Sequence, residues 1–235
     1  MHLHAPFSLP RRPLALALMG ALTLGLVACG GSDDAPSFKT IELNIAHIND
    51  HHSQLDAFAG TELTLDGVAT QVEMGGFARQ TAVCKALAGT PNLLKLHAGD
   101  AITGSLYYTF FKGKADAQMM NSICFDAFVP GNHEFDDGDG VFKGFLDALA
   151  DPANGGNCKT PTLSANIVPQ AGTPLAPAGA AAYLQPYTIK KIDGVDVGIV
   201  GVTIAAKTAN SSRPLATTQF QEEAKAAQKA IDDLK

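Results

Sequence analysis

Apolar and polar positions fall into alternating blocks along this chain. Residues 41–48 have the period-two character of a strand, and the run ends in the polar stretch Asn49-Asp50-His51-His52. Residues 76–87 carry helical spacing. A short strand over 92–96 ends at His97-Ala98-Gly99-Asp100, and a helix follows over 116–124. Its methionines, Met119 and Met120, suit gaps in a core. A brief strand over 126–129 ends at Gly131-Asn132-His133-Glu134, and a helix follows over 141–150. A strand over 162–165 leads to Asn166. Residues 187–191 and 195–202 read as a hairpin around Asp193-Gly194. The Pro/Ala/Gly-rich stretch 170–182 reads as a surface loop, and 219–234 as a closing helix rich in Ala, Glu and Lys. Strand, helix and strand at this spacing predict an α/β domain. No internal repeat is visible.

The first residues follow a different logic. Arg11 and Arg12 precede an apolar run over 14–27, shorter than a comfortable membrane span. The run ends Leu26-Val27-Ala28-Cys29 and resembles the lipobox of bacterial lipoproteins, in which the Cys29 thiol takes the lipid. Residues 1–29 are therefore expected to be a lipoprotein signal peptide, and 30–40 a flexible tether. Pro13 after the arginine pair favours general secretion over twin-arginine export. The expected location is outside the cytoplasm on a membrane, with Gly30 after the cysteine favouring the outer membrane.

Composition narrows the rest. With 235 residues, 17% charged and 46% hydrophobic, the chain suits one packed domain rather than disorder. A net charge of −6 argues against a nucleic-acid polymer as partner, and the absence of Trp weakens any broad stacking surface. Once Cys29 is lipidated, Cys84, Cys124 and Cys158 remain, so at least one stays unpaired. Their spacing fits no zinc pattern. Cys84 and Cys124 sit in apolar stretches and read as small core residues, while the pairing of Cys158 stays open.

Three apolar strands end in polar clusters: Asp50 with His52, then Asp100, then Asn132 with His133. In open α/β sheets the crevice beyond the strand carboxyl ends is where ligands bind. Carboxylate, imidazole and amide oxygen together suit borderline divalent metals such as zinc, manganese or iron. A carboxylate can bridge two ions, and a two-metal centre clamps both oxygens of a phosphoryl displacement. His133 is positioned to stabilise charge or protonate a leaving oxygen, with Asp136 three residues later to orient it. Singly, each cluster fits an ordinary turn or a solvated loop, His51 and His52 included. Their order, each at a strand end, is what carries the reading. His97 is expected to be structural and His47 a hydrogen-bonded packing residue. Arg79 reaches the site or caps its helix.

These residues resemble the first three motifs of the calcineurin-like metallophosphoesterases. Flanking matches sharpen the resemblance to the bacterial 5′-nucleotidase branch: Ala46-His47-Ile48-Asn49-Asp50, Gly75-Gly76-Phe77-Ala78-Arg79, Leu163-Ser164-Ala165-Asn166, Pro186-Tyr187-Thr188-Ile189 and the stretch Gly194 to Gly201. The resemblance runs from about residue 41 to the end and implies a layered αββα sandwich. It implies two divalent metal ions, zinc, manganese or similar. Asp50 and His52 would bind the first, Asp100 would bridge, Asn132 would bind the second, and His133 with Asp136 would be the catalytic pair. The implied reaction takes a nucleoside monophosphate, or another phosphoester, to alcohol and phosphate.

The family completes its metal sites with downstream histidines, whereas the last of the seven histidines here is His133. Residues 41–235 are accordingly expected to be the amino-terminal portion of the catalytic domain, cut before its last strands and lacking the carboxy-terminal nucleotidase domain. Two other readings stay open: a truncated inactive fragment, and a non-catalytic lipoprotein that binds a metal or nucleotide.

Overall fold

The computed structural model describes residues 40–235. The expected signal segment 1–29, the lipidated Cys29 and all but the last residue of the 30–40 tether lie outside the described residues. No described helix is long and apolar enough to cross a membrane.

The strands are β1 Asn44–Ile48, β2 Ala57–Leu65, β3 Val68–Gly75, β4 Leu93–His97, β5 Ala127–Phe128, β6 Thr162–Leu163, β7 Ile167–Pro169, β8 Leu184–Gln185, β9 Tyr187–Ile192, β10 Val195–Val200 and β11 Thr218–Phe220. The helices are α1 Phe77–Ala86, α2 Leu106–Phe111, α3 Lys114–Asn121, α4 Gly138–Ala150, α5 Ala205–Ser211 and α6 Glu223–Asp233. A five-stranded sheet in the order β1-β4-β5-β6-β8 is parallel throughout. Its register aligns Ile48 with His97, and His97 with Phe128. The three loops that follow therefore leave the sheet side by side.

Helix α4 shows why these segments fold as they do. Phe142, Phe145, Leu146 and Leu149 recur at helical spacing and are all buried. They pack with Met120 of α3, Phe77 of α1 and Phe128 of β5 in one core. Each fully buried Phe contributes roughly 1.5–3 kcal/mol. The helix stops at Asp151-Pro152, where proline cannot donate. Gly113 enters α3 with φ +86, and a Cβ there would press to 3.0 Å from Phe145. Helix α6 packs on β10 of the β9–β10 hairpin, with the Leu234 side chain over Gly198. Glu222 caps α6 by accepting the N–H groups of Ala224 and Lys225 at 3.0 and 2.9 Å.

Several local expectations change. The antiparallel pair β2–β3, turning at Asp66-Gly67, is absent from the sequence reading although Asp-Gly is a strong hairpin signal. Residues 219 and 220, expected at the start of the closing helix, belong instead to strand β11, which pairs with β7. Leu175, in the expected surface loop, is fully buried. Cys124 is not a plain core residue: it forms a disulfide with Cys158, and Cys84 is the free, buried cysteine. Arg79 donates to the Gly75 carbonyl at 2.9 Å and pairs with Glu73 at 2.6 Å, so it ties α1 to β3. His47 is exposed, not packed.

Candidate metal centre and proton-handling pair

The site grows from the ends of β1, β4 and β5. Past the β1 and β4 strand ends the two chains keep bonding: Asp50, His52 and Ser53 donate their N–H groups to the carbonyls of Gly99, Asp100 and Ala101 at 2.9, 3.1 and 2.9 Å. This ladder holds non-glycine residues in the left-handed region, with φ of 52° at Asp50, 47° at His52 and 50° at Asp100. Such strain persists only where surrounding structure over-determines it. Gly99 and Gly131 press together so closely that a Cβ on Gly99 would overlap the Gly131 backbone. The two glycines of the motifs are thus a packing requirement.

His52, Asp100 and His133 come together. Each offers one ligand atom, and the three atoms lie within 4.8 Å of one another. The His52 and His133 rings meet edge to face at 4.8 Å. Asp50 joins through His52, whose Nε2 is 3.6 Å from its Oδ1, and Asp50 also bonds to the Asn49 side chain. Asn132 is buried at 4% exposure, and its main-chain carbonyl accepts from the Ser212 hydroxyl at 2.7 Å. Asp100 is fixed through Oδ1, which accepts the His133 backbone N–H at 2.9 Å. Two imidazoles and a carboxylate whose ligand atoms lie this close together form a donor set that fits a divalent cation.

His133 Nδ1 lies 2.7 Å from Asp136 Oδ2. The carboxylate only accepts, so it selects the tautomer with the proton on Nδ1 and leaves Nε2 for the cluster. Ser212 completes the arrangement. Its Oγ lies 3.0 Å from Asp136 Oδ1 and 2.7 Å from the Asn132 carbonyl. Eighty residues separate Ser212 from Asn132, so no local pattern could have announced it.

Two further groups escaped the sequence reading. Glu134 is fully buried and accepts backbone N–H groups from Gly131, Ala101, Asp100 and Ile102 at 2.6, 2.7, 3.0 and 3.3 Å. Burial, with the Asp100 charge behind it, pushes its carboxyl up to about 7, while the N–H donors pull it down. Its signal lay inside Gly131-Asn132-His133-Glu134. His51 is not the solvated loop residue expected. It is buried, with Nδ1 2.9 Å from His97 Nε2 and Nε2 3.2 Å from Asp116 Oδ1, and Ser53 donates to the same Asp116 at 3.0 Å. His97 in turn accepts the Gly99 N–H at 3.2 Å, in keeping with the structural role expected of it.

Comparison with known proteins now has a geometry to attach to. The family model described as calcineurin-like phosphoesterase matches residues 43–198. The chain belongs to this family. The phosphoesterase match spans all three metal-side loops. NAD 5′-nucleotidase of Haemophilus influenzae is 42% identical over 205 residues, covering 86% of this chain and 31% of that protein. A probable 5′-nucleotidase of Treponema pallidum is 37% identical, covering 96% of this chain and 35% of that protein. The solved H. influenzae NAD nucleotidase superimposes with a TM-score of 0.72 at 40% identity, over 82% of this chain and 32% of that one. A 5′-nucleotidase precursor from Thermus thermophilus gives 0.67 at 34% identity, over 82% and 34%. The chain thus spans about a third of the length of the relatives it matches. The expected α/β class holds, with a parallel central sheet, and membership of this family implies divalent metal ions.

Proposed function

We propose that this chain carries the amino-terminal portion, residues 41–235, of a metal-dependent hydrolase that releases phosphate from a nucleoside monophosphate or a similar ester. The observation that carries this is the convergence of His52, Asp100 and His133, with His133 held by Asp136 at 2.7 Å. The names of the relatives above support a nucleotide as substrate class. Asp50, His52, Asp100 and Asn132 would hold two divalent cations such as zinc or manganese. When bound, such ions neutralise phosphoryl oxygens and acidify water. Asp100 positions its carboxylate against the His133 N–H. His133 keeps one proton on Nδ1 toward Asp136 and handles a second at Nε2, where it can protonate the leaving oxygen. Asp136, braced by Ser212, stabilises the imidazolium that forms.

The same reading places residues 1–29 as an export signal ending in the lipidated Cys29 and residues 30–40 as a tether, leaving the domain on the outer side of a membrane. The Cys124–Cys158 disulfide supports export, because such bonds persist in oxidising compartments. The test is phosphate release from AMP by the full chain in detergent, with manganese and with His133→Ala beside it. Metal-dependent release that collapses in the variant supports the proposal. Release no greater than that of the variant would instead favour the binding lipoprotein or the inactive fragment.

A further inference from the structure

The loop after β1 divides its side chains between two sides. Asp50 and His52 keep solvent exposure beside the cluster, whereas His51 and Ser53 are buried. Both buried side chains end on one residue of α3. Asp116, fully buried, accepts from His51 Nε2 at 3.2 Å on Oδ1 and from the Ser53 hydroxyl at 3.0 Å on Oδ2. It stands in the first turn of α3, where a helix favours a carboxylate.

The direction of these bonds is fixed from the other end. The Gly99 N–H can only donate, so His97 Nδ1, 3.2 Å away, is an acceptor. The proton of a neutral His97 is then on Nε2 and is donated to His51 Nδ1 at 2.9 Å. His51 in turn carries its proton on Nε2 and donates it to Asp116. One file of donors thus runs from the Gly99 backbone through two imidazoles to a single carboxylate. Phe77 meets the His51 ring edge to face at 5.1 Å, and Phe125 meets the His97 ring at 5.3 Å. In such an apolar setting each bond is strengthened, and an unpaired member is costly.

The two ends of the file lie next to the candidate ligands. His51 and Ser53 flank His52, and Gly99 precedes Asp100. Asp50, His52, Ser53 and Asp100 all have left-handed φ values. The backbone ladder ties these two loops to each other, and the file to Asp116 ties them both to α3. We propose that Asp116 is a positioning residue. By receiving His51 and Ser53 it holds His52 between them, and through His97 it holds the Gly99-Asp100 backbone. This rests on reading His52 and Asp100 as cation ligands.

The test is hydrogen–deuterium exchange by mass spectrometry on the full chain in detergent, with manganese affinity read by electron paramagnetic resonance on the same samples. Asp116→Leu keeps much of the volume and removes both acceptors. Its amides over 50–54 are expected to exchange about tenfold faster while those of α4 stay within about twofold, and manganese is expected to bind about tenfold more weakly. Asp116→Asn should bring both readings back to within about threefold of the parent, because its oxygen still accepts from His51 and its amide can donate to the Ser53 oxygen. Ser53→Ala removes one arm only. It should shift both readings about threefold in the same direction, and it decides the matter if Asp116→Leu does not fold. Exchange that rises equally in α4 assigns Asp116 to general stability and overturns the proposal. Unchanged amides over 50–54, or manganese affinity that holds while those amides loosen, overturn it too. A parent chain that binds no manganese removes the cation reading, and the exchange pattern then decides alone whether Asp116 holds the loops.

Discussion

The Glu134 carboxylate accepts the backbone N–H of Asp100 at 3.0 Å across 34 residues of sequence. Through this bond and the three others to Gly131, Ala101 and Ile102, one buried side chain sets the distance between two of the site's loops. The geometry of Asp100, and hence of the cluster, depends on an acceptor that touches no ligand.

Replacing Glu134 by Gln tests this. The amide keeps the shape but turns one acceptor into a donor facing N–H groups. We expect a loss of about 1–3 kcal/mol in urea unfolding, together with weaker manganese binding. A variant as stable as the parent would show that the four N–H groups find other partners.

His52 and His133 share the cluster but should separate by role. His52→Ala should weaken manganese binding at least tenfold by electron paramagnetic resonance. His133→Ala should leave that affinity within a few-fold and lower AMP hydrolysis by about 10²–10⁴. If His133→Ala loses the metal as badly as His52→Ala, His133 is a ligand and the proton-handling role falls.

Ser212 holds the carboxylate that orients His133. Removing one such bond costs about 1 kcal/mol, so Ser212→Ala should lower kcat about three- to tenfold with KM little changed. Ser212→Thr should restore most of it. A pure KM effect would point instead to substrate contact.

The Cys124–Cys158 bond closes a loop of 34 residues that contains α4. Loop-closure entropy predicts about 3–4 kcal/mol of stabilisation. Cys124→Ser with Cys158→Ser, or reduction by a thiol, should lower the urea midpoint accordingly. An unchanged midpoint would mean that the pair contributes nothing to folding.

Stability should also fall in mild acid. Burial, followed by the neighbouring charges of His51 and His47, holds His97 well below its ordinary value of 6.5. The unfolded chain therefore binds the proton first. The contribution is complete above pH 6.5 and declines below it, by at most about 1.4 kcal/mol per pH unit. His97→Gln should flatten that part of the curve in pH-dependent urea melts, and an identical slope would assign the effect to other groups.

What the sequence could show is limited by the range of its signals. Periodicity located β1, β4, α1 and α4, because burial of one face imposes a period that survives in the residues themselves. The site loops were legible for a related reason. Strand ends in a parallel sheet share one edge, so Asp50, His52, Asp100, Asn132 and His133 could be gathered from order alone. The β2–β3 hairpin was missed although its Asp66-Gly67 turn is local, and the reason lies in its exposure. Ala57, Phe58, Ala59 and Gly60 all face water in turn, so no apolar alternation marks the strand.

The remainder belongs to the tertiary structure. His51 reads as solvated in a polar run, yet it is buried because Asp116 and His97, 65 and 46 residues away, each offer it a partner. Cys124 found Cys158, and Ser212 found Asp136, for the same reason. Hydrogen bonds and disulfides act over a few ångströms of space and are indifferent to separation along the chain. Residue types and their local order thus determined the fold class and the candidate ligands. Which imidazole is buried and which carboxylate is braced were decided only when the sheet brought distant segments together.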